Sequence, residues 1–227
     1  MNGDLKNWNY TENAKVFVSP KKKLFFDKSQ PEVATYQGMP LIHRDGPING
    51  GIFVMSDGKN IYEEACYVDD RKMPILHDIY RYLLARIDTP VDKNKFSFKD
   101  RVLKPIAKIV EQYIPYSEKK LTVYNQGFSS GEPVGLDYYI NNHVGVCRHE
   151  SLLAGYLTQR LTADQLLRGK ASLDRNLDEE LGGHAWVRYT NPKSAIYVID
   201  VANDGFAGTL AEANQTFNRN YNRPEDH

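Results

Sequence analysis

The stretch VGVCRHESLLAGYL, residues Val144–Leu157, decides the fold, because a cysteine opens a helix-forming run just after a helix breaker. Gly145 interrupts the preceding segment, and Cys147 follows it by two positions. Apolar residues then recur at three- and four-residue spacing, which predicts a helix with one face in a core: Leu152, Leu153, Tyr156, Leu157 and Leu161. Cys147 therefore lies in the first turn, where free backbone N–H groups and the helix dipole stabilise a thiolate.

Two strand candidates downstream supply partners for this cysteine. GHAWVRYT begins at Gly183 and AIYVIDVA begins at Ala195, and the intervening Asn-Pro-Lys-Ser is typical of a turn. An antiparallel hairpin centred on Pro192 would place His184 directly opposite Asp200. Directly opposed residues have Cβ atoms about 4.5–5.5 Å apart, within hydrogen-bonding reach for these two side chains. The prediction depends on register, since a slip of one residue would send the side chains to opposite faces.

These three residue types form a known chemical set. A thiolate at Cys147 can attack an amide or ester carbonyl, and the imidazole of His184 can pair with the thiolate and then protonate the leaving amine. The carboxylate of Asp200 would fix the tautomer of the imidazole. Backbone N–H groups at the start of the helix could hold the oxyanion. The pattern favours thiol-dependent acyl chemistry.

Three stretches together resemble the transglutaminase-like superfamily of cysteine enzymes, which has a papain-like core: GVCRHESLL (Gly145–Leu153), GGHAWVRY (Gly182–Tyr189) and YVIDVAN (Tyr197–Asn203). The resemblance covers under a third of the chain, and it implies Cys147 as nucleophile, His184 as base and Asp200 as orienter. It also implies a residue upstream that assists the oxyanion, for which Gln126 is the candidate. By strand alternation Trp186 shares a face with His184, where it either walls the cleft or fills core.

The family includes transglutaminases, deamidases, cysteine proteases, peptide N-glycanases and bacterial effectors, and the resemblance does not choose among them. It implies a protein or peptide substrate and leaves room for a regulatory protein partner. No calcium-loop motif occurs, so no metal and no other cofactor is expected. A zinc site built from His143, Cys147 and His149 is a weaker alternative, because Gly145 breaks the helix between them.

The expected fold class is α+β, a transglutaminase-like core with its cysteine at a helix N-terminus and its histidine and aspartate on an antiparallel sheet. Residues 1–70 are predicted to form a β-rich extension of the same domain, and residues 71–227 the core. The extension contains the strand candidates KVFVS, KLFFD and GGIFVMSDGKNIY, the last with a turn at Ser56–Lys59. Helices are predicted over Pro74–Ile87, from Ser97 with a kink at Pro105, and over Pro133–Asn142.

Composition excludes several classes of partner. Lys plus Arg and Asp plus Glu number 29 each, and the zero net charge disfavours nucleic acid and anionic membranes. The chain shows neither a signal-peptide pattern nor a membrane span. Cys66 and Cys147 are too few for a disulfide framework, although the sequence leaves a single disulfide between them open. The expected location is a soluble, reducing, cytoplasmic-type compartment, or a host cell for an effector that is secreted.

Taken one at a time, these residues are ordinary. A lone buried cysteine is more often structural, a strand histidine is often a satisfied core residue, and an aspartate at a strand end often forms a turn. The alternative to an enzyme is therefore a non-catalytic interaction module or an adaptor part of a larger effector that retains the fold. A pure binding module needs none of Cys147, His184 and Asp200, which favours the enzyme.

Overall fold

The computed structural model describes residues 24–27, 30–56, 63–87, 97–178 and 182–226, and it shows a mixed α+β protein. The strands are β1 (Leu24–Asp27), β2 (Gln30–Tyr36), β3 (Met39–Pro40), β4 (Gly51–Ser56), β5 (Glu63–Val68), β6 (Pro133–Gly135), β7 (Lys170–Asp178), β8 (Gly182–Thr190), β9 (Ile196–Asp200) and β10 (Phe206–Thr209). The α-helices are α1 (Pro74–Ile87), α2 (Lys104–Tyr113), α3 (Glu118–Asn125), α4 (Leu136–Asn141), α5 (Cys147–Ala163) and α6 (Leu210–Thr216).

Helix α5 is the centre of the molecule. It begins at Cys147 as its periodicity predicts, but the expectation of a single buried face was too narrow, since every residue from 149 to 158 is buried. The sheet that carries β7 and β8 covers one side, and helices α2 and α4 contact others. Gly155 has no room for a Cβ, because one would collide with the side chain of Ile48. The helix is thus fixed on several sides, and its first turn is fixed with it.

A four-stranded antiparallel sheet in the order β10-β9-β8-β7 packs against α5. The register of β8 and β9 differs from the sequence prediction by two residues, since Val187 pairs with Ile199 and Thr190 with Ile196. The reason is a five-residue loop, 191–195, in which Asn191 Oδ1 accepts the N–H groups of Lys193 and Ala195, both at 2.9 Å. His184 and Asp200 are therefore not directly opposed. An even shift nevertheless keeps both on the same face of the sheet.

The N-terminal region is built into the same core. Strands β4 and β5 form the predicted antiparallel hairpin, although its turn and the KVFVS segment lie outside the described residues. Strand β5 also pairs in parallel with β6. Residues 133–135 are thus a strand, and the prediction of a helix from Pro133 was wrong there, because pairing with β5 delays the helix to Leu136. The division of the chain at residue 70 stays a prediction. One hydrogen bond joins the two parts, since the Tyr156 hydroxyl on α5 donates to Asp70 Oδ2 at 3.1 Å.

The helix predicted from Ser97 forms in two parts. Lys99–Leu103 is a π-helical turn, and regular α-helix begins only at Lys104. Pro105 has no N–H to donate, and it lies in the first turn of α2 directly after the π-helical turn, where the Lys104 N–H donates to the Lys99 carbonyl. The Ser97 Oγ accepts from the Asp100 backbone N–H at 3.3 Å, as the capping pattern predicts.

The polar C-terminal stretch folds back against the main sheet. Arg223 Nη2 forms an ion pair with Asp174 on β7, and Arg188 on β8 forms a bidentate pair with Asp226. The buried Tyr221 of this stretch packs in one cluster with Trp186 on β8 and Val198 on β9. In the described part of the chain, no helix is long and apolar enough to span a lipid bilayer.

Candidate active site

Cys147 occupies the N-terminal turn of α5, and the structure brings it to His184 on β8. Val146 before it has extended backbone angles and serves as the N-cap. The His184 imidazole and the Ala185 backbone N–H are polar groups near the sulfur that favour its thiolate form. The residue is 8 % exposed. Burial alone would raise the pKa of Cys147, but the hydrogen bond and charge of His184, together with Arg148, lower it below its ordinary value.

Asp200 completes a line of three groups. His184 Nε2 lies 2.6 Å from Asp200 Oδ2, and the Asp200 side chain is fully buried. Since Nε2 is used for this contact, Nδ1 is the nitrogen left for the sulfur. Burial disfavours the imidazolium, but its contacts with Asp200 and Cys147 outweigh burial and raise the pKa of His184 to about 9. A lowered thiol pKa beside a raised imidazole pKa describes a thiolate–imidazolium pair.

Two further side chains hold Asp200, and neither was predicted to have a role. The Tyr221 hydroxyl donates to Asp200 Oδ2 at 2.6 Å. Asn203 Nδ2 donates to the same oxygen at 2.7 Å and to the Tyr221 hydroxyl at 3.0 Å. Asn203 follows Asp200 by three residues in a turn, so its proximity could have been inferred. Tyr221 lies in a polar stretch with no periodicity, and no sequence signal pointed to it.

The two tentative cleft residues are placed differently. Trp186 is fully buried, its ring stacks on His184 with centroids 5.8 Å apart, and it meets Tyr221 edge-on at 5.0 Å. Of the two roles expected for Trp186, its burial agrees with a core residue, which packs against the imidazole ring. Gln126 is exposed at the C-terminal end of α3, and the neighbouring Asn125 points inward instead. The structure does not supply a contact that would give Gln126 a role at the oxyanion.

A buried polar network lies behind the cysteine. Glu64 on β5 forms a bidentate ion pair with Arg148, and its Oε1 lies 2.9 Å from His149 Nε2. Asn125 Nδ2 donates to Glu64 Oε2 at 2.9 Å. Burial would raise the pKa of Glu64, but the Arg148 and His149 contacts hold it well below its ordinary value. The network anchors the first turn of α5 to the N-terminal hairpin.

His149 also fixes the backbone next to the nucleophile. Its Nδ1 accepts the Val146 N–H at 3.2 Å, which satisfies a donor in front of the helix. A ring nitrogen that accepts must carry no proton, so Nε2 bears the hydrogen and lies 2.9 Å from Glu64 Oε1. Burial lowers the pKa of His149 despite the neighbouring carboxylate, which agrees with a neutral ring.

Glu150 is the remaining polar residue of this turn. Its side chain is buried, and burial followed by the charges of Cys147 and Asp200 raises its pKa to about 8. The residue is thus a neutral carboxylic acid at neutral pH. No role for this residue was predicted from the sequence.

Within the described ranges, no group of three or more His, Cys, Asp or Glu side chains is arranged to hold a metal ion. His149 was one ligand of the alternative zinc site. Its two ring nitrogens contact the Val146 N–H and Glu64 Oε1 instead. Comparisons of the chain with protein-family models, with curated proteins and with solved structures found no match.

Proposed function

We propose that this protein is a thiol-dependent enzyme of the transglutaminase-like class, which transfers or hydrolyses acyl groups of protein or peptide amides. The observation that carries the proposal is the buried line of Cys147, His184 and Asp200, with 2.6 Å between His184 Nε2 and Asp200 Oδ2. In the proposed fold, α5 and the sheet β7–β10 form the papain-like core. Transglutaminase, deamidase and cysteine protease activities share this chemistry and differ in the substrate amide and the acceptor.

The first half-reaction forms a thioester. The Cys147 thiolate attacks the amide carbonyl, and the C=O electron pair moves onto oxygen to give a tetrahedral oxyanion. The backbone N–H of Cys147 has no intrahelical acceptor in the first turn, so it is available to that oxyanion. The C–N bond then breaks, and the proton on His184 goes to the leaving nitrogen.

The second half-reaction releases the acyl group. His184, now neutral, removes a proton from water or from a primary amine, which attacks the thioester carbonyl. The C–S bond breaks, the thiolate returns, and the proton stays on the imidazole. Asp200 holds the ring in position through both steps, and Tyr221 and Asn203 hold Asp200.

Alkylation of the thiol by iodoacetamide tests the nucleophile without a substrate. We expect Cys147 to label rapidly well below its ordinary pKa of 9.0, because His184 stabilises the thiolate. Cys66 is an internal control, since it is fully buried and burial raises its pKa. Peptide mass spectrometry from pH 4 to 9 would read both sites. His184→Ala should remove the low-pH labelling of Cys147.

Turnover is the second stage of the test. Casein and a tagged primary amine report amine transfer, and ammonia release or new peptide termini report deamidation or proteolysis. Cys147→Ala should abolish each signal, whereas Cys66→Ala should not. An ordinary thiol profile at Cys147, with turnover that survives Cys147→Ala, would reject the proposal and favour the interaction-module alternative.

A further inference from the structure

Glu150 is a buried acid that the proposed reaction does not use. It lies three residues after Cys147, so both side chains project from the same side of the first turn of α5. The residue is 1 % exposed, and its Oε2 has no hydrogen-bond partner within the described residues. Burying a carboxyl oxygen without a hydrogen-bond partner destabilises the folded protein, and burying an ionised one would destabilise it more.

The groups around Glu150 are mostly acidic. Cys147 faces it from its own helix, Asp200 from β9 and the exposed Glu111 from α2. Among the described residues that affect it, His184 on β8 is the cation that favours its ionised form, and the Tyr116 hydroxyl, before α3, is also within electrostatic range. Burial and the three anionic neighbours therefore disfavour ionisation of Glu150, and the charge of His184 favours it.

We propose that Glu150 is a positioning residue, held as a neutral carboxylic acid beside the nucleophile, and that its ionisation in mildly alkaline solution suppresses acyl transfer. This inference rests on the proposed function of Cys147. A second negative charge beside the thiolate and Asp200 would oppose the oxyanion that forms on the substrate carbonyl. The neutral acid places no such charge there.

Two ionisations then limit the rate at high pH. The pKa of Glu150 is raised to about 8, while that of His184 is raised to about 9. Glu150 should therefore lose its proton first, while the imidazolium needed for the leaving group is still intact. Wild-type activity should fall around pH 8 rather than around pH 9.

The test uses p-nitrophenyl acetate, a small neutral ester. Cys147 attacks the acetyl carbonyl, p-nitrophenolate leaves as the C–O bond breaks, and water hydrolyses the acetyl thioester. The pH profile is measured from pH 6 to 10, corrected with Cys147→Ala and normalised to the maximum of each variant. Glu150→Gln, which is nearly isosteric and always neutral, should move the midpoint of the alkaline limb upward from the pKa of about 8 of Glu150. Because p-nitrophenolate leaves without a proton, loss of the His184 proton does not replace it with a second limb.

Glu111→Gln is the matched comparison, since it removes an exposed carboxylate that opposes the ionisation of Glu150, so its midpoint should move slightly downward, opposite to the shift in Glu150→Gln. A merely structural role for Glu150 would change the rate or the melting temperature without moving the midpoint. The same midpoint in wild type and Glu150→Gln would overturn the inference. If Glu150→Gln does not fold, Glu150→Leu supplies a second neutral side chain of similar volume for the same measurement.

Infrared spectroscopy separates failure of this inference from failure of the proposed function. A protonated carboxylic acid has its own carbonyl band, which should disappear in wild type with a midpoint near pH 8 and be missing from Glu150→Gln. Absence of that band near neutral pH would overturn the inference even in an active esterase. A band that titrates as expected in a protein without Cys147-dependent esterase activity would instead overturn the proposed function, and the switching role with it.

Discussion

Tyr221→Phe removes one hydroxyl from the support of the candidate active site, and its effect on stability can be worked out from the contacts. The hydroxyl is buried and donates to the Asp200 carboxylate at 2.6 Å. Hydrogen bonds to charged groups contribute about 1.5–3 kcal/mol to the free energy of unfolding. For a chain of this size each kcal/mol shifts the melting temperature by about 2–4 °C, so we expect a drop of about 3–12 °C.

Tyr189→Phe is the matched control for this prediction. Tyr189 is equally buried, but its hydroxyl donates at 2.7 Å to the neutral backbone carbonyl of Arg168. Neutral hydrogen bonds contribute about 0.5–1.5 kcal/mol, so the loss should be smaller. Circular dichroism melts of both variants at pH 7 provide the comparison. A loss in Tyr221→Phe no larger than in Tyr189→Phe would refute the argument that Asp200 is a buried carboxylate held by Tyr221.

Three other substitutions test the surrounding charges. Asn203→Ala removes a second donor to Asp200 and should lower the melting temperature, but less than additively with Tyr221→Phe, since both residues donate to one oxygen. Glu64→Gln leaves Arg148 buried without its carboxylate and should cost about 3–5 kcal/mol at pH 7 in urea unfolding. Because the folded pKa of Glu64 is lowered, that difference should be present above its ordinary pKa of 4.5 and narrow as pH falls below it; a constant difference would contradict the ion pair. Glu150→Gln should change stability with pH in the opposite direction. Because the folded pKa of Glu150 is raised to about 8, its contribution to the free energy of unfolding of the wild type is complete below pH 4.5 and decreases toward pH 8, by up to about 1.4 kcal/mol per pH unit. Urea unfolding at pH 5, 6 and 7 should therefore find a difference that grows in favour of the variant, and a flat difference would contradict a buried neutral acid.

Local patterns in the sequence were enough to place the main elements of the site. The period of the apolar residues after Cys147 predicts α5. The predicted hairpin puts His184 and Asp200 on one face, and they stay there because the register differs from the prediction by an even number of residues. The exact pairing of β8 and β9 was missed by two residues. It depends on a loop whose length is set by the side chain of Asn191, and the turn-forming residues alone fit a shorter loop equally well.

Long-range contacts account for most of what the sequence did not reveal. Glu64 reaches Arg148 across 84 positions of the chain, and Tyr221 reaches Asp200 from a stretch without periodicity. Neither has a local signal, because each is positioned by the packing of elements that are distant in sequence. The choice of Gln126 as the oxyanion candidate depended on local geometry that the sequence does not reveal. Which of two neighbouring residues at the end of α3 points inward depends on the geometry of that helix end, and Asn125 is the one that does.

The charges of the site explain why it would contain one neutral acid among several ionised groups. Arg148 and Glu64 cancel each other, as do the thiolate of Cys147 and the imidazolium of His184, which leaves the single negative charge of Asp200. Tyr221, Asn203 and the imidazole ring all donate toward that charge. Glu150 Oε2 and Asp200 Oδ1 both have no hydrogen-bond partner among the described residues, so the two carboxyl groups differ by the three donors that converge on Asp200 Oδ2. The site can hold one buried carboxylate beside the nucleophile, and its hydrogen bonds assign that charge to Asp200.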